Sequence, residues 1–152
     1  MKKIFLLLIT TLLFIPFNVL AKEYHVTNEN ELITALNNQT EQITIYMDNN
    51  IEISNKIDIT GNVTINGQGN KIGFVDSYYG QLFNISGSLE INDVILDGGN
   101  AWSWKNKEDK KNENIKGNEE TLNIPGGYIT GNIISVTGSL KMVDSTIKNY
   151  FI

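Results

Sequence analysis

From Ile43 onward apolar and polar residues alternate in runs that are short and mostly β-branched. Examples are Ile43-Thr44-Ile45, Ile51-Glu52-Ile53, Ile57-Asp58-Ile59, Val63-Thr64-Ile65, Leu82-Phe83-Asn84-Ile85, Leu89-Glu90-Ile91 and Val94-Ile95-Leu96. A period of two puts the Ile, Val and Leu side chains on one face and predicts half-buried strands. Turn-formers separate the runs, as at Asp48-Asn49-Asn50, Gly61-Asn62 and Gly67-Gln68-Gly69-Asn70. Strands this short suit a solenoid, in which each strand pairs with the coil above and the coil below.

An internal repeat supports the solenoid. Gly80 to Asp93 aligns without gaps onto Gly131 to Asp144, with identity at Gly80/Gly131, Gly87/Gly138, Ser88/Ser139, Leu89/Leu140 and Asp93/Asp144. Each copy has the size of one coil of roughly 20 residues. The Gly-Ser pair is expected at a sharp corner, where glycine's backbone freedom is useful.

Two segments break the pattern. Asn28 to Asn38 predicts the only helix: Asn28 can cap it, Glu31 completes a capping-box spacing, and Leu32, Ala35 and Leu36 share one face. Residues 99–127 predict a polar loop inserted at a corner, because Lys105 to Asn114 contains no apolar residue. A solenoid end exposes unpaired strand edges. The helix at 28–38 is therefore expected to cap the N-terminal end. Asn149-Tyr150-Phe151-Ile152 shows no capping signal, which predicts either continuation into a longer chain or end-to-end self-association.

The helix containing Ala35-Leu36, then Ile-Thr-Ile, Asn62-Val-Thr-Ile-Asn-Gly67 and the twice-used Gly-Ser-Leu-x-(Ile/Met) carry a resemblance. Over about residues 24–152 the chain resembles the pectate-lyase-like right-handed parallel β-helices of bacterial surface proteins, a group that includes adhesins. The resemblance implies an all-β fold, a right-handed parallel β-helix with a short N-terminal capping α-helix. It leaves function open, since this scaffold carries lyases, glycosidases and non-enzymatic adhesins alike.

The first residues set the expected address. Met1-Lys2-Lys3 precedes an apolar stretch from Ile4 to Val19, broken by Pro16, and then Leu20-Ala21. Residues 1–21 thus read as a secretory signal with its cut between Ala21 and Lys22, and residues 22–152 as an extracellular or cell-surface domain. Losing Lys2 and Lys3 leaves ten basic residues of the original 12 against 17 acids, so the net charge moves from −5 to about −7. Nucleic acid and anionic membranes are poor partners for such a surface. The absence of cysteine excludes disulfides, thiolate metal sites and a thiol nucleophile.

Candidate chemistry is sparse. The chain has no arginine, so the arginine base that the resemblance implies for lyases is missing, and Lys71 and Lys141 are the lysine candidates. Asp93, Asp97 and Asp144 offer oxygens that can take calcium, yet their spacing reads first as turn chemistry; no cofactor is expected. His25 is the only histidine, too few for a histidine metal site. The best ligand-binding candidates are Trp102 and Trp104, which an extended backbone would turn to one side, with Asn100 beside them and Tyr78-Tyr79 as a second aromatic patch. The expectation is a non-enzymatic adhesin-like module that binds an extracellular glycan or host surface. The alternatives are the N-terminal fragment of a polysaccharide lyase or glycoside hydrolase, and a self-assembling structural module.

Overall fold

A computed structural model describes residues 21–75, 80–98 and 133–150, together with three short strands at 111–113, 122–124 and 128–130. The chain opens with β1 (Lys22–Val26) and α1 (Glu29–Ala35). The first full coil is β2 (Ile43–Met47), β3 (Ile51–Ile53) and β4 (Ile57–Ile59), and the second is β5 (Asn62–Asn66), β6 (Lys71–Phe74) and β7 (Phe83–Ile85). β8 (Ser88–Asn92) and β9 (Ile95–Asp97) follow, then the inserted β10 (Lys111–Glu113), β11 (Leu122–Ile124) and β12 (Tyr128–Thr130). β13 (Ile134–Val136), β14 (Ser139–Val143) and β15 (Thr146–Tyr150) complete the order.

Successive coils stack strand on strand into three sheets. Sheet A runs β1-β2-β5-β8-β14-β11, sheet B β10-β15-β9-β6-β3, and sheet C β12-β13-β7-β4. All the pairings from β1 to β9, and those of β13, β14 and β15 with them, are parallel. The fold is a right-handed parallel β-helix with a capping helix. The alternation read in the sequence is met at each coil. Ile43, Val63, Leu89 and Leu140 stand in one inward column, Ile45, Ile65, Ile91 and Met142 in the next, and Ile51, Ile72, Leu96 and Ile147 in a third. All of these side chains are buried. The gap-free alignment is the physical register: Ser88 faces Ser139, Leu89 faces Leu140 and Ile91 faces Met142.

Glycine at the corner has a different cause from the one expected. Among the described residues only Gly69 is a glycine at positive φ. At Gly138 a Cβ would lie 2.0 Å from the Gly87 carbonyl oxygen, and at Gly87 it would lie 2.3 Å from that of Gly61. Stacked coils approach so closely here that only hydrogen fits. The left-handed conformation falls instead on Gln68, Asp93 and Asp144, all at the corner from sheet A to sheet B. Ser145 locks that corner: its buried hydroxyl accepts the Val94 N–H at 3.1 Å and donates to the Val143 carbonyl at 2.8 Å.

The insert is more than a loop. β10 joins sheet B, β11 sheet A and β12 sheet C, each antiparallel to the last strand there. Forward coils visit the sheets in the order A, B, C, whereas the insert visits B, A, C, the reverse winding that antiparallel pairing requires. The polar sequence at Lys111–Glu113 hid this, because backbone pairing at a sheet edge does not need apolar side chains. β13, β14 and β15 are each paired on both sides.

The N-terminal cap follows the sequence closely. Asn28 Oδ1 accepts the Glu31 N–H at 3.0 Å, and Leu32, Ala35 and Leu36 are buried on the coil beneath. The helix ends at Ala35 rather than Asn38, with Leu36 as its C-cap. The freed residues do another job: Gln39 Oε1 accepts the Thr60 and Gly61 N–H groups, and its Nε2 donates to the Asp58 carbonyl at 2.9 Å. Glu29 likewise accepts the N–H groups of Ser54 and Asn55. Among the described residues no helix is long and apolar enough to cross a membrane.

Gly138→Ala is expected to cost about 2–3 kcal/mol, since backbone must move to admit the methyl group. The adjacent Ser139→Ala should cost less than about 1 kcal/mol. Urea unfolding of both variants checks the contrast.

Two carboxylates tie stability to pH. The Glu31 carboxyl is held below its usual value by the backbone and side chain of Thr27, and that of Asp58 by the Asn84 amide, with Lys56 adding to it. A depressed folded pKa contributes stability above the unfolded value that is lost as pH falls through the folded one. Melting temperature should therefore drop as pH falls below about 4, and Glu31→Gln should flatten part of that acid limb.

Candidate functional site on the solvent face of sheet A

β1, β2, β5, β8 and β14 are each five residues long, so sheet A offers the widest regular face. Its inward residues are fixed by the core, and alternation sends the others to solvent in register. One outward column runs Glu23, Thr44, Thr64, Glu90, Lys141, and a second runs His25, Tyr46, Asn66, Asn92. A third holds Asn62, Ser88 and Ser139. Neighbours in a column are about 4.8 Å apart, the spacing of adjacent strands.

The columns are internally bonded. Asn92 Nδ2 donates to Asn66 Oδ1 at 3.0 Å, Ser139 Oγ donates to Ser88 Oγ at 3.0 Å, and Lys141 Nζ reaches Glu90 at 2.9 Å. At the N-terminal end the His25 ring stacks on Tyr46, with centroids 5.1 Å apart and planes 19° from parallel. His25 Nδ1 lies 3.1 Å from both carboxylate oxygens of Asp48. The face thus combines pre-aligned amides and hydroxyls with a stacked aromatic pair. Such a surface is suited to hydrogen bonding and ring stacking along an extended polar polymer.

The candidates named from sequence are distributed unevenly. Trp102, Trp104, Asn100, Tyr78 and Tyr79 lie outside the described residues. Ala21 is half-buried and Lys22, the expected first residue after cleavage, is also the first residue of β1; the signal segment 1–20 lies outside the described residues. Asp93 and Asp144 are turn residues with φ of 52° and 48°. Asp97 pairs with Lys148 at 3.4 Å, Lys141 with Glu90, and the Lys71 amide donates to Asn50 Oδ1. Among the described residues no three His, Asp or Glu side chains come together as a metal site.

Tyr46, Thr64, Asn66 and Asn92 are not among the candidates that the sequence suggests, and His25 enters there only as the single histidine. Their signal was available in the outward positions of each run, once the coils are set in register. Comparison of the chain with family models, with curated proteins and with solved structures finds no match.

If this face carries contacts rather than stability, breaking one of its pairs is cheap. Lys141→Gln should cost less than about 1 kcal/mol, as exposed ion pairs do. Its chain neighbour Leu140→Ala, on the inward face, should cost about 2–5 kcal/mol. Thermal or urea unfolding of the two variants decides.

Proposed function

We propose that the chain is an exported, non-enzymatic β-helix that binds an extracellular glycan along the solvent face of sheet A, as an adhesin-like module. The observation that carries this reading is the His25–Tyr46 stack continuing into the bonded Asn66–Asn92 column. An aromatic platform beside in-register amides matches the alternating ring faces and hydroxyls of a sugar chain. Trp102 and Trp104 are proposed as a second aromatic contact for the same ligand. Export is supported by the leading segment, residues 1–21.

The test is retention of the secreted protein on a panel of immobilised neutral and acidic polysaccharides, with reducing ends assayed in the same tubes. Retention without new reducing ends is expected, and Tyr46→Ala should weaken it about tenfold. A Trp102→Ala, Trp104→Ala double variant should weaken it further while keeping the β-type circular dichroism signal. The secreted form should begin Lys22-Glu23-Tyr24. Cleavage of a polysaccharide would replace this reading with the enzyme alternative, and retention on none would remove the glycan.

A further inference from the structure

At the N-terminal end of the solenoid the cap treats the three sheets unequally. The end of β3 is held by the Glu29 carboxylate, through Ser54 and Asn55, and β4 by the Gln39 amide, through Asp58, Thr60 and Gly61. These side chains stand where the next coil's backbone would be. Among the described residues nothing covers β1, the terminal strand of sheet A, in this way. Lys22 N–H bonds to the Gln42 carbonyl and the Val26 carbonyl accepts from Asp48 N–H, both at 2.9 Å. In a parallel ladder that parity turns Lys22, Tyr24 and Val26 toward β2, and turns the N–H and C=O groups of Glu23 and His25 toward the open edge. The pairing of β1 with β2 is regular across all five residues, with no bulge, and β1 contains no proline. It thus lacks the bulge and the proline that blunt many edges, while Lys22 and Glu23 place charge on it.

A cleft of about 260 Å³ runs beside this edge. The strand contributes Tyr24, His25 and Val26 to it, and α1 contributes Asn30, Glu31, Thr34 and Ala35. Tyr24 and Val26, which line it, stand at the inward positions of β1. Thr27 closes the far end, its N–H already bonded to Glu31 at 2.7 Å. The charge around the edge is one-sided: Glu23, Glu31, Glu41 and Asp48 are exposed there, against the cation Lys22, and the His25 ring bonds to Asp48.

We propose that the open edge of β1 is a strand-acceptor site for an extended basic polypeptide segment of a partner protein. The segment adds to sheet A by main-chain hydrogen bonds to Glu23 and His25. Small apolar residues of the segment enter the cleft against Tyr24, Val26 and Ala35. Its alternate basic residues lie over the acidic rim. This inference is independent of the glycan reading, and either can fail alone.

The test is amide hydrogen exchange on the secreted protein, with an end-capped peptide of alternating valine and lysine as probe. The Glu23 and His25 amides are expected to slow about tenfold or more on adding the peptide, while that of Tyr24, bonded to β2 throughout, is unchanged. The same peptide with glutamate for lysine should have no effect. His25→Pro removes one edge donor at a position where sheets tolerate proline, and should abolish the protection with the circular dichroism spectrum retained. Should that variant misfold, Glu23→Lys leaves the backbone intact and should weaken peptide binding about tenfold. Absent protection, or equal protection by the acidic peptide, overturns the proposal. Protection that rises with protein concentration in the absence of peptide assigns the edge to a second copy and overturns it as well.

Discussion

The interaction on which everything else depends is the backbone hydrogen bond directed along the solenoid axis. In each coil the N–H and C=O groups point up or down the stack, so a coil is satisfied only by its neighbours. Lateral packing of Ile, Val and Leu holds the three sheets together, but the ladder sets the distance between coils. That distance explains the corner glycines, because Gly87 and Gly138 sit where one coil's backbone nearly touches the next. It also shapes what lies beyond the described forward coils. Before the first, the side chains of Glu29 and Gln39 take the backbone's place. Against β13, β14 and β15 lies a reverse-wound backbone, β10 to β12.

Most of the forward-wound solenoid was legible in the sequence. Period-two runs gave the strands, and the alignment of Gly80–Asp93 onto Gly131–Asp144 gave the register of two stacked coils residue by residue. The Asn28–Glu31 spacing gave the helix start. Each of these is a local pattern whose cause is local, either side-chain alternation or a cap. The reverse-wound strands were not legible. Lys111-Asn112-Glu113 has no strand-like alternation, and its pairing is decided by the edge of β15, which is distant in sequence and supplies the partner groups. The corner glycines were found, but the reason for them lies in the spacing of coils, which no single coil's sequence records.

The candidate site was legible only in hindsight, for a related reason. Its residues are single outward positions drawn from different coils, such as His25, Tyr46, Asn66 and Asn92, and none is distinctive within its own run. They form a column only after the register is known. Sequence reading favoured residues that cluster along the chain, such as Trp102 and Trp104, because adjacency is the only proximity a sequence displays. A solenoid moves proximity from one neighbour in the chain to another a whole coil away, so its surface motifs are perpendicular to its sequence motifs.

The same geometry bears on the binding proposed for sheet A. Several polar side chains of its solvent face bond one another: Glu90 with Lys141, Asn66 with Asn92, Ser88 with Ser139, and His25 with Asp48. Each such pair fixes a side chain in one orientation before a ligand arrives, which lowers the entropy lost on binding. A face organised this way gains from repetition, since each added contact is modest and the ladder supplies many in register. For the ligand proposed here, that argument favours an extended chain over a small molecule.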